Sequence, residues 1–370
     1  MAKFSLSVFL FIYFFPILFV YMDQREFEFL QLQVILFSYI VGAIFAYIYV
    51  KDLKPVDNGR FYIDSRILYI LFALYVIAKY STILSALGAT INGNFTSFAM
   101  ERTIDRYENF SEVSKQTFLE RLGTISFLSF GSFLGAVRNT RKKHILMFIL
   151  MIFVESVSLA RLGVLLSFVG FVIEKIIRKS REIEKLNLMR LIRLYSVIAI
   201  ILLIIFSFSA YFRVSSKDNA IEIVVYKLGV YTVAMYEALM HWMYSQYGYN
   251  IDLGYNSFAS IYKIFGIEFE QGFYDLTATT FGPTNIYTSI RGYLSDFGLL
   301  GTSFLFLAFG FFPILYSRVR LNYYKYIFLR FILWNFVFVL ISPFNYFNFL
   351  AGFIIFSLFV AISTLKKSRN

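Results

Sequence analysis

Long apolar runs separated by shorter polar segments dominate the pattern along the chain. Each run has about 16 to 21 residues, enough for a helix to cross a hydrocarbon core of about 30 Å when tilt and snorkelling are allowed. Ten such runs predict membrane spans near 4–22, 30–50, 67–87, 118–137, 145–160, 162–177, 194–212, 297–316, 327–341 and 350–365. The pattern therefore predicts an all-α polytopic membrane protein with about ten transmembrane helices.

The segment 220–244 is also apolar, but it contains Lys227, Glu237 and His241. Its apolar residues fall on one stripe of a helical wheel, which is typical of an amphipathic helix lying at the membrane interface. Counting it as an eleventh span would also place the basic C-terminal segment outside. We therefore predict an interfacial helix within one large extracytoplasmic loop, 213–284, and loops of about 70 residues tend to be functional.

Composition supports a membrane protein, since 59% of the 370 residues are hydrophobic and 16% are charged, against about 25% charged in soluble domains. No repeat or flexible linker divides the chain, so we expect a single helical transmembrane domain over 1–370. The chain has no cysteine and two histidines. Disulfides, thiolate metal sites and a catalytic cysteine are thereby excluded, and we expect no metal site.

The net charge of +12 raises the question of nucleic-acid binding. About two thirds of the 35 Lys and Arg fall in the segments on one side of the predicted membrane, and most acidic residues fall on the other. This distribution follows the positive-inside rule and predicts that both termini are cytoplasmic. The charge therefore indicates topology and contact with anionic lipids rather than a nucleic-acid partner.

The fifth and sixth predicted spans form a hairpin with Arg161 at its tip and Glu155 deeper in the fifth span. Ionised groups in hydrocarbon cost roughly 2.5 to 3.5 kcal/mol each, so they usually face a bundle interior or a wet cavity. The alternative is that Arg161 snorkels to the interface and Glu155 is protonated or paired structurally. Lys79, deep in the third span, either snorkels or lines a polar cavity, and both readings stay open.

The stretch TNIYTSIRGYLSDFGLLG, 284–301, places Arg291 and Asp296 directly before an apolar run. In a continuous helix Arg291 would lie roughly 9 Å above the hydrocarbon edge. A lipid-linked diphosphate lies at that height, and a guanidinium fork matches phosphate oxygens. Gly282-Pro283-Thr284 predicts a helix start whose amides could add to anion binding, whereas Asp296 lies about 140° around the helix from Arg291 and should not pair with it.

Glu237 and His241 are spaced i and i+4 on the predicted interfacial helix. Such a pair could orient an acceptor hydroxyl or take its proton. A solvated surface contact is the alternative interpretation.

The hairpin tip SxxRxG at Ser158–Gly163, the large outside loop and the segment Asn285–Gly301 together resemble the bacterial oligosaccharide repeat-unit polymerases, the Wzy-type O-antigen polymerases. The resemblance implies a GT-C-like glycosyltransferase architecture in the bacterial inner membrane, with its active face towards the periplasm. It implies an enzyme that joins oligosaccharide units carried on undecaprenyl diphosphate, without a metal or other cofactor. Expected partners are the lipid-linked donor and acceptor, membrane lipids and a chain-length regulator protein.

By that resemblance, Arg161 and Arg291 would hold the donor diphosphate and stabilise charge on the leaving group. Arg213 joins them by position only. Four residues are unranked candidates for the base that accepts the proton of the attacking hydroxyl: Glu155, Glu237, His241 and Asp296. Three polar or aromatic residues are candidates for sugar contact: Asn285, Tyr287 and Tyr293.

Two other functions fit the same pattern. A ligase that transfers finished O-antigen onto the lipid A core, or a teichoic-acid or capsule counterpart, would use a similar arginine-lined site. A polysaccharide transporter or flippase would need no chemistry at all. Transporters often contain internal repeats, and the lack of a repeat together with one long outside loop favours a transferase.

Overall fold

The computed structural model describes most of the predicted apolar segments. The described residues are 1–20, 26–51, 53, 63–92, 118–137, 140–157, 161–181, 222, 229–246, 252–267, 277–280, 284, 288–319, 322–338, 344 and 346–368.

Helices make up nearly all of this part of the chain. The α-helices are α1 (Ala2–Val8), α2 (Phe15–Val20), α3 (Glu26–Val50), α4 (Arg66–Ala78), α5 (Tyr80–Ile91), α6 (Phe118–Ala136), α7 (Lys142–Val157), α8 (Arg161–Arg181), α9 (Met235–Gln246), α10 (Ala259–Ile264), α11 (Ser289–Leu315), α12 (Tyr323–Val337) and α13 (Phe347–Ser368). Two π-helical segments, Phe9–Phe14 and Val230–Ala234, precede α2 and α9.

The all-α prediction is confirmed for the described residues, which contain no strand beyond the isolated bridge between Thr277 and Thr284. Nine of the ten predicted spans overlap these helices, and the predicted span 194–212 lies outside the described residues. The hydrophobic runs therefore located the helices correctly.

Within the described residues, two helices are long and apolar enough to cross a membrane, Glu28–Val50 and Ser289–Leu315. Protein covers only 33% and 28% of their most apolar windows. A core helix of a soluble protein would be mostly covered, so these two helices suggest membrane association. The count of ten crossings stays a prediction, as do both cytoplasmic termini.

The chain divides into two compact units. The first unit comprises Met1–Arg60, Ile176–Leu188 and Leu228–Leu350, and the second comprises Phe61–Lys175, Met189–Lys227 and Ala351–Asn370.

In the first unit, α3 and α11 pack so closely that glycine is required at their contact. A Cβ atom added to Gly42 would collide with the backbone oxygen of Leu307, and one added to Gly310 would collide with that of Tyr39. Small residues that let helix backbones touch are typical of helix pairs in membranes. Rings then fill the core beside this contact, with Tyr39 stacked on Phe9 at a centroid distance of 4.2 Å.

In the second unit, Gly131 and Gly135 are spaced four residues apart in FGSFLGA, which predicts a small-residue face for helix packing on α6, and the contacts of α6 confirm it. Added Cβ atoms at Gly131 and Gly135 would collide with the backbone oxygens of Ser167 and Phe171 on α8. The Ser167 hydroxyl also donates to the Phe127 oxygen at 2.7 Å. Because both glycines meet α8 in the same order along the chain, α6 and α8 run parallel, as alternating crossings predict.

The start of α7 is capped by a histidine. His144 is buried, its Nδ1 accepts from the Arg141 backbone N–H at 3.2 Å, and its Nε2 lies 3.0 Å from the Tyr69 hydroxyl. An acceptor at Nδ1 requires the neutral ring with its proton on Nε2. Burial, and then the neighbouring charges of Lys143 and Arg141, lowers the pKa of His144 from its ordinary value of 6.5.

Candidate functional site

The first part of α11 is a short helix that ends at a backbone break. Thr288 is its N-cap residue with extended geometry, φ −78° and ψ 158°, and Gly298 interrupts the helix with φ 64° and ψ −175°. Only glycine adopts such angles without strain. The continuous helix assumed for the height of Arg291 is therefore wrong, and Arg291 lies on a separate helical segment, 289–297, before the break.

Arg291 is buried at the start of this segment, with 8% of its surface exposed. Its guanidinium carbon lies 5.0 Å from the centre of the Trp242 ring, within the range of a cation–π contact. A ring attracts the positive charge of the guanidinium, whereas phosphate oxygens bind its N–H groups. The contact with Trp242 is thus compatible with anion binding.

The N-terminal end of α11 adds a second polar feature beside Arg291. The first amides of any α-helix lack intrahelical acceptors and form a site of positive potential. Thr288 is 2% exposed, and within the described part of the chain its hydroxyl oxygen has no hydrogen-bond partner. A buried hydroxyl at a helix start, next to a buried arginine, is a suitable environment for an oxyanion.

Asp296 is fully buried and fastens a distant segment to α11. Its carboxylate accepts from the backbone N–H groups of Asn256 at 2.8 Å and Ser257 at 2.7 Å, and from the Asn256 side-chain amide at 3.1 Å. The backbone oxygens of Ser295 and Asp296 accept in turn from the amides of Asp252 and Leu253 at 3.0 and 3.1 Å. These contacts define a docked segment, 252–267, and account for both carboxylate oxygens of Asp296.

Glu237 also makes a structural contact. Its carboxylate accepts from the Thr280 backbone N–H at 2.7 Å, next to the bridge in which Thr277 and Thr284 exchange hydrogen bonds of 2.8 Å. Glu237 therefore holds the turn that leads towards α11. His241 lies one helical turn further along α9, is half-buried, and directly precedes Trp242.

Of the three candidates for sugar contact, the structure describes only Tyr293. It is almost completely buried, and its hydroxyl contacts the backbone and side-chain oxygens of Asn335 at 3.2 and 3.1 Å. This position favours a packing role. Asn285, Tyr287 and Arg213 lie outside the described residues.

In the second unit, Glu155 forms an ion pair with Lys79. Lys79 Nζ lies 3.3 Å from Glu155 Oε1, and the two side chains are 14% and 2% exposed. Lys79 occupies the break between α4 and α5, and its aliphatic stem would contact a Cβ atom added to Gly123 at 3.1 Å. Lys79 therefore reaches sideways into a helix contact instead of snorkelling.

Arg161 is the first residue of α8, and its side chain lies outside the described part of the structure. It belongs to the second unit, whereas Arg291 belongs to the first. Their convergence on one diphosphate stays a prediction.

The sequence alone did not identify three residues that contact Arg291 or Asp296. Trp242 was assigned only to an apolar stripe, although it is one of two tryptophans and follows the candidate His241. Asn256 and Ser257 had no recognisable signal, because their contacts with Asp296 are 40 and 39 residues away in sequence. A fourth omission is Arg330, which lies in the predicted span 327–341 without an assigned role and is 1% exposed within α12.

Among the residues that the structure describes, no group of three or more His, Cys, Asp or Glu side chains could hold a metal ion. Comparison of the chain with protein-family models, curated proteins and solved structures found no match.

Proposed function

We propose that this chain is an O-antigen or surface-polysaccharide polymerase of the bacterial inner membrane. In this function it joins oligosaccharide repeat units carried on undecaprenyl diphosphate at the periplasmic face. The observation that carries the proposal is Arg291, a buried guanidinium held against Trp242 at the start of a helix. The resemblance of Ser158–Gly163 and Asn285–Gly301 to the polymerases supplies the substrate class.

In the proposed reaction, the hydroxyl of one lipid-linked unit attacks the anomeric carbon of another. The new glycosidic bond forms as the bond to the undecaprenyl diphosphate oxygen breaks, and the diphosphate leaves with the bonding electrons. Arg291 and the α11 amides stabilise the charge that develops on that leaving group. By the resemblance, Arg161 is a further candidate for this role. This use of fixed cations requires no metal or cofactor.

The hydroxyl proton requires an acceptor, and four residues are candidates for it. Glu155 pairs with Lys79, Glu237 accepts the Thr280 amide, and Asp296 fastens the docked segment. His241 lies beside the tryptophan that contacts Arg291, and an imidazole changes protonation near neutral pH. We propose His241 as the base because an imidazole can accept a proton near neutral pH, with release of the proton to solvent after transfer.

Complementation of a polymerase-null strain tests the proposal. Arg291→Ala should abolish the lipopolysaccharide ladder and leave single-unit O-antigen, because a lost transition-state donor costs about 100-fold or more in rate. Arg291→Lys should restore only a short ladder, since an ammonium lacks the forked donors. Arg66→Ala is the matched control, because the Arg66 side chain is 88% exposed.

The phenotype of a strain that lacks this chain separates the polymerase from the ligase and the transporter. Loss of all lipopolysaccharide-bound O-antigen in the null strain would indicate a ligase-type transferase. Accumulation of intact lipid-linked units at the cytoplasmic face would indicate a transporter or flippase. A full ladder from Arg291→Ala at normal protein level would refute the role of Arg291 in the diphosphate site.

A further inference from the structure

The docked segment, 252–267, exposes large apolar side chains. Leu253 is 73% exposed, Ile264 54% and Phe265 76%. Single exposed apolar residues are ordinary on a protein surface. Three large ones on one short segment, which is itself hydrogen-bonded to α11, are not. The surroundings of this segment indicate what those side chains contact.

The backbone of the docked segment is fixed to α11 directly before its apolar run. The amides of Asp252 and Leu253 bind the oxygens of Ser295 and Asp296. Just beyond the break at Gly298, Leu300 and Phe304 are 78% and 71% exposed on the helix that is apolar enough to cross a membrane. Exposed apolar side chains therefore lie both on the α11 run and on the segment that is hydrogen-bonded to the residues just before that run.

The ring of Phe258 places the middle of the segment among apolar rings. Its centroid lies 6.4 Å from that of Phe297, 5.9 Å from Phe331 and 6.3 Å from Phe344. Phe297 and Phe331 belong to two of the predicted spans. A loop in bulk water would not need to insert a ring between such helices.

The segment also satisfies many of its polar groups internally, as a site poor in water requires. The Tyr262 hydroxyl donates to the Leu253 oxygen, and the Asn256 amide donates to Asp252 at 2.9 Å. Backbone bonds from Tyr255 to Asp252 and from Phe258 to Gly254 close two turns at 3.1 and 2.9 Å. Leu253 and Gly254 have φ of 47° and 96°, a tight turn for which the second residue is glycine.

We propose that the docked segment, 252–267, inserts into the outer interface of the bilayer, with Leu253, Ile264 and Phe265 contacting lipid. The exposed Lys263 directly precedes Ile264 in sequence, and its ammonium group could pair with a lipid phosphate. Interfacial anchors commonly combine inserted apolar side chains with such a cation. The occupant of this surface is the surrounding membrane, because the segment is hydrogen-bonded to α11 directly before its exposed apolar run. The inference depends on membrane insertion of α11 and is independent of the transferase activity.

The absence of cysteine makes the test direct, because a single introduced cysteine can be labelled without background. Phe265→Cys and Leu253→Cys proteins would carry an environment-sensitive fluorophore in nanodiscs. One set of nanodiscs contains lipid with a nitroxide near the acyl carbonyl, and the other is treated with aqueous iodide. Leu300→Cys is the lipid-facing reference, and Ala278→Cys, an exposed position outside the segment, is the aqueous control.

We expect nitroxide quenching at Phe265 and Leu253 to lie within about twofold of that at Leu300 and to exceed that at Ala278 at least threefold. Quenching by iodide at the level of Ala278 would overturn the proposal in favour of a water-exposed loop. Quenching by neither agent would overturn it in favour of a covering protein or second copy. Size-exclusion profiles matching the unmodified protein establish that each variant is folded, and ladder formation in the complementation assay reports separately on the proposed function.

Discussion

The buried ion pair of Lys79 and Glu155 gives a prediction whose magnitude can be worked out. The two charges lie 3.3 Å apart and both side chains are largely buried. At an effective dielectric constant of about 20, their attraction is about 5 kcal/mol. Desolvation of the two ions costs several kcal/mol each. The net contribution of the pair should therefore be small, whereas removal of one partner should be costly.

Three variants separate these quantities: Lys79→Met, Glu155→Gln and the double variant. Each single variant leaves the other group buried without its charged partner, and we expect each to lower the free energy of unfolding by about 3 kcal/mol or more. The double variant replaces both charges with neutral side chains of similar volume. It should unfold within about 1 kcal/mol of the wild type, which corresponds to a coupling energy of about 5 kcal/mol.

Reversible unfolding in mixed micelles, followed by far-ultraviolet circular dichroism of the helices, would measure these free energies. The matched controls are Lys142→Met and Glu120→Gln, two exposed positions on α7 and α6, which should change stability by less than about 0.5 kcal/mol. If the loss in the double variant equals the sum of the single losses, the two groups do not interact. The reasoning from the 3.3 Å distance would then be refuted.

Two further predictions concern the second unit. Gly131→Ala should lower the free energy of unfolding by about 1 to 3 kcal/mol because the added methyl group collides with the α8 backbone. Gly88→Ala is the control: Gly88 has open space around it, so the substitution should be neutral or stabilising. Equal changes in the free energy of unfolding for the two variants would contradict the packing role of Gly131. The lowered pKa of His144, caused by burial and then by Lys143 and Arg141, means that the unfolded chain binds a proton that the folded chain excludes. Stability should therefore fall as pH drops below about 6.5 and be level above it, and His144→Gln should flatten that slope; an unchanged slope would exclude His144 as its source.

The helices could be predicted because their signal is local. An apolar run long enough to span a membrane is visible at each position, and α3 and α11 lie where the runs predicted them. The packing role of Gly131 and Gly135 was also predictable, because their spacing of four residues places both on one helix face. These features require no knowledge of which segments meet.

The site could be predicted only in part because its contacts join distant segments. Lys79 and Glu155 are 76 residues apart, and Asp296 meets Asn256 across 40. Neither pairing follows from spacing or composition, so the sequence left Lys79 open and kept Asp296 among the bases. The break at Gly298 was missed for another reason: a glycine inside an apolar run is compatible with a continuous helix.

Asp296 and Arg291 looked equivalent in sequence, as two charges before one apolar run, but the structure separates their roles by the groups that surround them. Asp296 meets three N–H donors of the protein itself, so its negative charge is compensated by the fold. Arg291 meets the face of Trp242 at the positive end of a helix. An anion bound at that helix start would meet the guanidinium and the first α11 amides together, which is why Arg291 is the stronger candidate for a substrate contact and Asp296 the stronger one for a structural role.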